Sequence, residues 1–206
     1  MKLRYTKIAV FLAALVPLAR LAWRALHGGL GANPIEFITH STGDWTLIFI
    51  LTTLSVTPLR RITRQYWLIG VRRMIGLFAF FYGCLHFTTY IWLDKFFDIH
   101  EMLKDIAKRP FITVGFSAFV LMIPLALTST AWSIRRLGGK NWRRLHRLIY
   151  LTGILGVVHY IWLVKADLRK PLEYAVALSI LLLYRVGVWA SEKRKQAIPA
   201  PARSLV

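Results

Sequence analysis

Three histidines in this chain stand where iron chemistry could be done. His86 and His159 each lie inside a long apolar run, and each follows an arginine pair, Arg72 and Arg73 in one case and Arg143 and Arg144 in the other. At about 1.5 Å per helical residue, both imidazoles would sit roughly 20 Å above their arginines and so at a common depth. Two neutral imidazoles at matched depth on neighbouring helices are what a bis-histidine haem iron needs. His146 lies in the same run as His159 but thirteen residues earlier, near the opposite end. On an ideal helix that spacing leaves the two side chains roughly 140° apart, so they share a stripe only if the helix is distorted, for which Gly153 or Gly156 offers a place. The run that holds His86 has no histidine at the inner level. Arg72 and Arg73 stand there instead, and their guanidinium groups suit haem propionates or a flavin phosphate. A plainer alternative stays open for each: a membrane histidine can bond a neighbouring helix or face water, and arginines flank membrane spans as a rule.

The elements that must position these residues are membrane helices. Of the 206 residues, 56% are hydrophobic, and the apolar runs are bounded by arginine clusters, a composition of integral membrane proteins. The formal charge of +19 would point to nucleic acid if it formed a stripe on a soluble surface. It sits instead at the ends of apolar runs, so no nucleic-acid partner is expected and the lipid bilayer is. Cys84 is the single cysteine, which excludes a disulfide, a cysteine zinc site and a covalent c-type haem attachment; it reads as a small buried apolar residue.

Judged against the roughly 20 apolar residues of a bilayer span, six spans are expected, at about 8–26, 44–59, 72–92, 110–131, 145–163 and 172–189. The first has the basic start of a signal peptide, but no small-x-small cleavage site follows it. Pro124 marks a kink in the fourth. Residues 1–190 form one transmembrane domain, and 191–206 read as a disordered cytoplasmic tail. Lysines and arginines collect at the N-terminus, at 60–73, at 135–147 and in the tail, which places both termini in the cytoplasm. Residues 96–109, FFDIHEMLKDIAKR, read as a short amphipathic helix on the outer surface. His27, His40 and His100 fall in predicted outer loops and read as solvated. The third and fifth spans echo each other, RRMIGLFAFFYGCLHFTTYIW against RRLHRLIYLTGILGVVHYIW, and Gly83, Gly153 and Gly156 near the histidines would leave room for a flat macrocycle. Each histidine is followed by an aromatic pair, Tyr90 and Trp92 or Tyr160 and Trp162, as at any membrane interface.

Taken in order, HGGLGANP, LSVTPLRR, RRMIGLFAFFYGCLHFTTY, RPFITVGF, LALTST and LGGKNWRRLHRLIYLTGILGVVHYIW closely resemble the MsrQ (YedZ) family. These are haem-binding membrane subunits of the bacterial periplasmic methionine sulfoxide reductase system MsrPQ, within the ferric reductase-like transmembrane superfamily. The resemblance covers about residues 8–190. It implies an all-α six-helix cytochrome b in the bacterial inner membrane, multi-pass, with one or two b haems and an association with FMN. It further implies electrons drawn from the quinone pool or a cytosolic flavin reductase and passed to a periplasmic molybdopterin enzyme, MsrP, that repairs oxidised methionine in envelope proteins. The family's histidines fall on His86, His146 and His159. With no nucleophile, carboxylate pair or metal cluster suited to sulfoxide chemistry, the chain reads as an electron-transfer subunit rather than a stand-alone catalyst. Two rival readings are a quinol-linked cytochrome b serving another oxidoreductase and a haem-free transporter or assembly factor with the histidines as proton relays.

Overall fold

In the computed structural model, which describes residues 2–164 and 166–197, the chain is helical, with no strand among those residues. The helices are α1 (Lys2–Leu26), α2 (Pro34–Thr63), α3 (Trp67–Thr89), α4 (Ile99–Lys108), α5 (Pro110–Leu127), α6 (Ala131–Leu145), α7 (Leu148–Leu163) and α8 (Arg169–Ala197). A π-helical turn, Tyr90–Asp94, extends α3, and α6 is broken at Gly138, where φ is 73°.

Among the described residues four helices are long and apolar enough to cross a bilayer: Leu3–Leu26, Trp67–Asp94, Pro110–Leu127 and Arg169–Arg194. Their apolar side chains, among them Phe11, Val16, Leu183 and Val186, point outward, as they do when lipid is the solvent. The six spans expected from sequence reduce to these four on length and composition, for two physical reasons. α7 has 16 residues, about 24 Å of helix against a core of about 30 Å. α2 has 30 residues and reach enough, but it carries Glu36, His40, Asp44 and a series of threonines. Those threonines turn their hydroxyls back onto the preceding turn, Thr42 to Ile38 O at 2.8 Å and Thr53 to Phe49 O at 2.7 Å, so the polarity is satisfied within the helix.

α2 begins ten residues before the expected start of the second span. Asn33 accepts from the Glu36 amide at 3.3 Å and donates to its carboxylate at 2.9 Å, with Pro34 in the first turn, a reciprocal cap that fixes the helix start. His40 therefore sits on a helix, half-buried, not in a solvated loop. At the other end of the chain α8 runs through Ala197, so 191–197 are helical where disorder was expected; 198–206 lie outside the described residues. The run expected as one helix from 145 is interrupted too: α6 ends at Leu145 and α7 starts at Leu148, with His146 capping the break. His146 and His159 thus do not share a continuous helix, and the distortion lies at 146–147 rather than at Gly153 or Gly156.

The core lies between α2 and α3, around Ile50, Leu54, Val71, Ala79 and Tyr82. α2 packs chiefly on α3, and α5 chiefly on α7. On the side where α3 ends and α5 begins, α4 is clasped by ions. The Asp105 carboxylate, 6% exposed, meets Lys95 Nζ at 2.6 Å and Arg109 Nε at 3.3 Å. This clasp closes a turn in which Phe96 and Phe97 hold φ of 48° and 62°, a left-handed conformation costly for bulky residues. Asp105→Asn is expected to weaken the α4 clasp by about 1–3 kcal/mol, seen as faster hydrogen exchange across 96–108. The Lys95 ammonium is held above its ordinary pKa, first by the hydrogen bond to Asp105. Because the folded value is the raised one, the contribution is intact at neutral pH and is lost only as pH climbs past about 10.5 through that raised value.

Candidate functional site

α3 brings in His86 and α7 brings in His159, and the two rings lie 6.2 Å apart, centre to centre, at an interplanar angle of 74°. Each ring is tied by its Nδ1 to a backbone carbonyl of the neighbouring helix, His86 to Thr39 O at 2.9 Å and His159 to Phe111 O at 2.6 Å. A carbonyl only accepts, so Nδ1 of each carries the proton and donates it. The tautomer is thereby fixed, and Nε2 of each ring keeps its lone pair. Among the described residues neither Nε2 has a hydrogen-bond partner.

Both rings line a cavity of about 540 Å³, within the range of cofactor pockets. Its walls are apolar, with Leu47, Phe87, Phe116 and Met122, and two of the three glycines picked out from sequence, Gly83 and Gly156, face it. Gly153 does not; it packs against Leu178 and Ile50. Tyr90 and Tyr160 also line the cavity, whereas Trp92 and Trp162 are exposed. The rim is polar. His40, Asp44 and Arg109 border it, Asp44 reaches Lys170 at 3.5 Å, and His40 lies 3.8 Å from Glu36.

The arrangement is competent to bind a metal between two imidazoles. A metal–imidazole bond of about 2 Å on each side puts the two ring centres roughly 6 Å apart, which is the separation found here. The donor set, the fixed tautomers and the apolar cavity fit a bis-histidine haem. No cluster of three or more histidine, cysteine or carboxylate side chains that could hold a bare metal ion occurs among the described residues.

His146 is elsewhere. Its ring stacks on Trp142 at 3.9 Å, and its Nε2 lies 3.0 Å from the Thr128 hydroxyl. That hydroxyl donates to Pro124 O at 2.6 Å, so His146 supplies the proton of the shared bond and its Nδ1 is the free nitrogen. Arg72 is half-buried and faces Arg185 and Tyr150, while Arg73 is exposed. Arg185, which the sequence reading passed over, donates to Leu54 O at 2.8 Å and lies over the Tyr150 ring at 5.0 Å. His27 stacks on Trp23, and His100 is exposed on α4. Cys84 is free and half-buried.

A helical membrane bundle that faces two histidines across an apolar cavity defines the class, and the comparisons agree: the ferric reductase like transmembrane component family matches residues 39–165. The relatives narrow it. The chain is 57% identical over 197 residues, 95% of its own length and 90% of the relative's, to the protein-methionine-sulfoxide reductase heme-binding subunit MsrQ of Herminiimonas arsenicoxydans. It is 54% identical to the MsrQ of Ralstonia nicotianae over 93% of this chain and 90% of that one, and 47% identical to the MsrQ of Xanthomonas campestris pv. campestris over 95% and 94%. The chain belongs to the MsrQ family, within the ferric reductase-like transmembrane proteins, and is a multi-pass membrane protein. No solved structure matches it significantly.

Proposed function

We propose that this chain is a membrane cytochrome b that carries electrons across the bacterial inner membrane to a periplasmic molybdopterin enzyme, MsrP, which reduces methionine sulfoxide in envelope proteins. The observation that carries the reading is the pair His86 and His159, with Nδ1 tied, Nε2 free and ring centres 6.2 Å apart in one cavity. Family membership, with relatives named as heme-binding subunits of a protein-methionine-sulfoxide reductase, supports it.

Haem, when bound, supplies one-electron chemistry at a potential set by its axial ligands and burial. The protein's own part is to present two imidazoles in a fixed tautomer, to keep water out with Leu47, Phe116 and Met122, and to hold the two ligand helices at constant spacing. On this reading α2 and α7 also cross the membrane, giving six spans with both termini cytoplasmic. α2 does so because its threonines are satisfied internally, and α7 because it is packed along its length on α5. The donor is the quinone pool or a cytosolic flavin reductase. At the inner end, Arg72, Arg185 and His146 would receive the carboxylates or phosphate of an inner group, a second haem or FMN; Arg73, being exposed, is a membrane-flank residue.

The test is an optical spectrum of the purified protein with haem and iron quantitation, followed by co-purification with the molybdoenzyme. A low-spin b-type spectrum that is re-oxidised by MsrP with methionine sulfoxide is the expected result. A colourless protein that still supports sulfoxide reduction would overturn the reading.

A further inference from the structure

The two candidate ligands are seated in one manner by the helices beside them. His86 donates to the carbonyl of Thr39, and four residues on stands Gly43; His159 donates to the carbonyl of Phe111, and four residues on stands Gly115. We propose that Gly43 and Gly115 are matched positioning residues, each with the carbonyl four residues before it forming a seat that sets the pose of one axial imidazole. The inference rests on the haem reading above and deepens it.

The spacing has a geometric cause. Within an α-helix the carbonyl of residue i accepts from the amide of residue i+4, and it keeps a second lone pair for another donor. Side chains tilt toward the helix N-terminus, so a Cβ at i+4 would stand beside that same carbonyl. A ring that donates to carbonyl i must therefore lie over position i+4, and only glycine leaves the place empty. The distances bear this out. A Cβ at Gly115 would come within 2.6 Å of His159 Nδ1 and 2.8 Å of its Cε1, and one at Gly43 within 3.1 Å of His86 Cε1 and 3.2 Å of its Nδ1. Gly76 and Gly187 show no such approach; the nearest atom at Gly76 is a Thr53 methyl at 3.6 Å, and Gly187 is open. The seats lie on α2 and α5, the chief packing partners of α3 and α7. The echo between the two histidine helices thus extends to the helices they rest on, THSTG in one and FITVG in the other.

The two seats differ in tightness, and that makes the inference testable. At Gly115 the ring itself must move, breaking the Phe111 bond; at Gly43 a few tenths of an ångström suffice. In the full-length purified protein, Gly115→Ala is expected to cut haem affinity about 10–100-fold, as loss of a ligand's outer partner does. Gly43→Ala should keep haem while shifting the g-values of the oxidised low-spin signal and the midpoint potential. Gly153→Ala is the packing control, since its Cβ would be tight on Leu178 at 3.3 Å but faces no imidazole; it should leave occupancy, g-values and potential at wild-type values. Wild-type occupancy and g-values in Gly115→Ala, or equal shifts in Gly153→Ala, would overturn the inference. Should Gly115→Ala fail to accumulate, unaltered g-values and potential in Gly43→Ala would overturn it alone. A wild-type protein without haem overturns the reading beneath it, and that result is visible before any variant is made.

Discussion

Alanine in place of His86 or of His159 is expected to abolish the low-spin haem spectrum, each substitution alone being sufficient. The expectation rests on these two rings being brought together at ligand spacing, 6.2 Å between centres. The two rings share a cavity whose remaining walls are mostly apolar, and on its polar side Asp44 pairs with Lys170 and His40 lies 3.8 Å from Glu36. On the proposed haem reading an alanine would remove one ligand, and it also leaves Thr39 O or Phe111 O without its imidazole donor. The loss should therefore exceed the roughly 10–100-fold that follows removal of an outer partner. His146→Ala should leave this spectrum in place, because His146 stacks on Trp142 outside the cavity and spends its Nε2 on Thr128. The measurement is the reduced-minus-oxidised difference spectrum, normalised to protein. A full difference spectrum in either His86→Ala or His159→Ala would end the bis-histidine account.

The sequence made the facing pair legible because depth in a membrane helix is a count of residues from a charged boundary, and the arginine pairs supplied two boundaries. It made His40 illegible for the same reason. The N-terminal half of α2 is polar, with Glu36, His40, Asp44 and neighbouring threonines, so hydropathy put the span's start at 44 and left His40 in a loop. The corrective signal was present in Asn33, Pro34 and Glu36, a cap that local helix chemistry reads and hydropathy does not. The break at 146–147 carries no local mark, since nothing between Leu145 and Leu148 is a glycine or proline. There the chain is turned by tertiary bonds, with Thr128 holding His146 and Trp142 donating to Thr128 O at 2.9 Å. Arg185 was missed because it stands alone in an apolar stretch of α8; its role appears only when Leu54 O and Tyr150 are brought to it.

Tyr82→Phe is expected to destabilise the bundle by about 2–6 kcal/mol while leaving the cavity spectrum at wild type. Pro17 lies inside α1, where its ring disrupts the helix and opens the ladder around it. In a straight helix the Leu18 amide would bond Ala14 O directly. Here the Tyr82 hydroxyl reaches both groups, accepting from Leu18 N at 3.1 Å and donating to Ala14 O at 2.9 Å. α1 is thus pinned to α3 by a side chain built into its backbone. Phenylalanine keeps the ring, 1% exposed and stacked on Phe49 at 5.2 Å, so the change isolates the hydroxyl. Two backbone groups then lie buried without a partner, at about 1–3 kcal/mol each, and lipid offers neither of them a replacement. If α1 instead closes the bond between Leu18 and Ala14 by straightening, the contact of Phe11 with Phe78, 5.3 Å between ring centres, must shift, and the loss appears as weakened docking of α1. Either way the melting temperature in detergent falls and protease access to residues 2–26 rises. An unchanged melting temperature would mean that α1 is held by lipid and apolar contact alone. Tyr82 does not line the cavity of His86 and His159, so a spectral change in this variant would show instead that α1 docking and the histidine helices are coupled through α3.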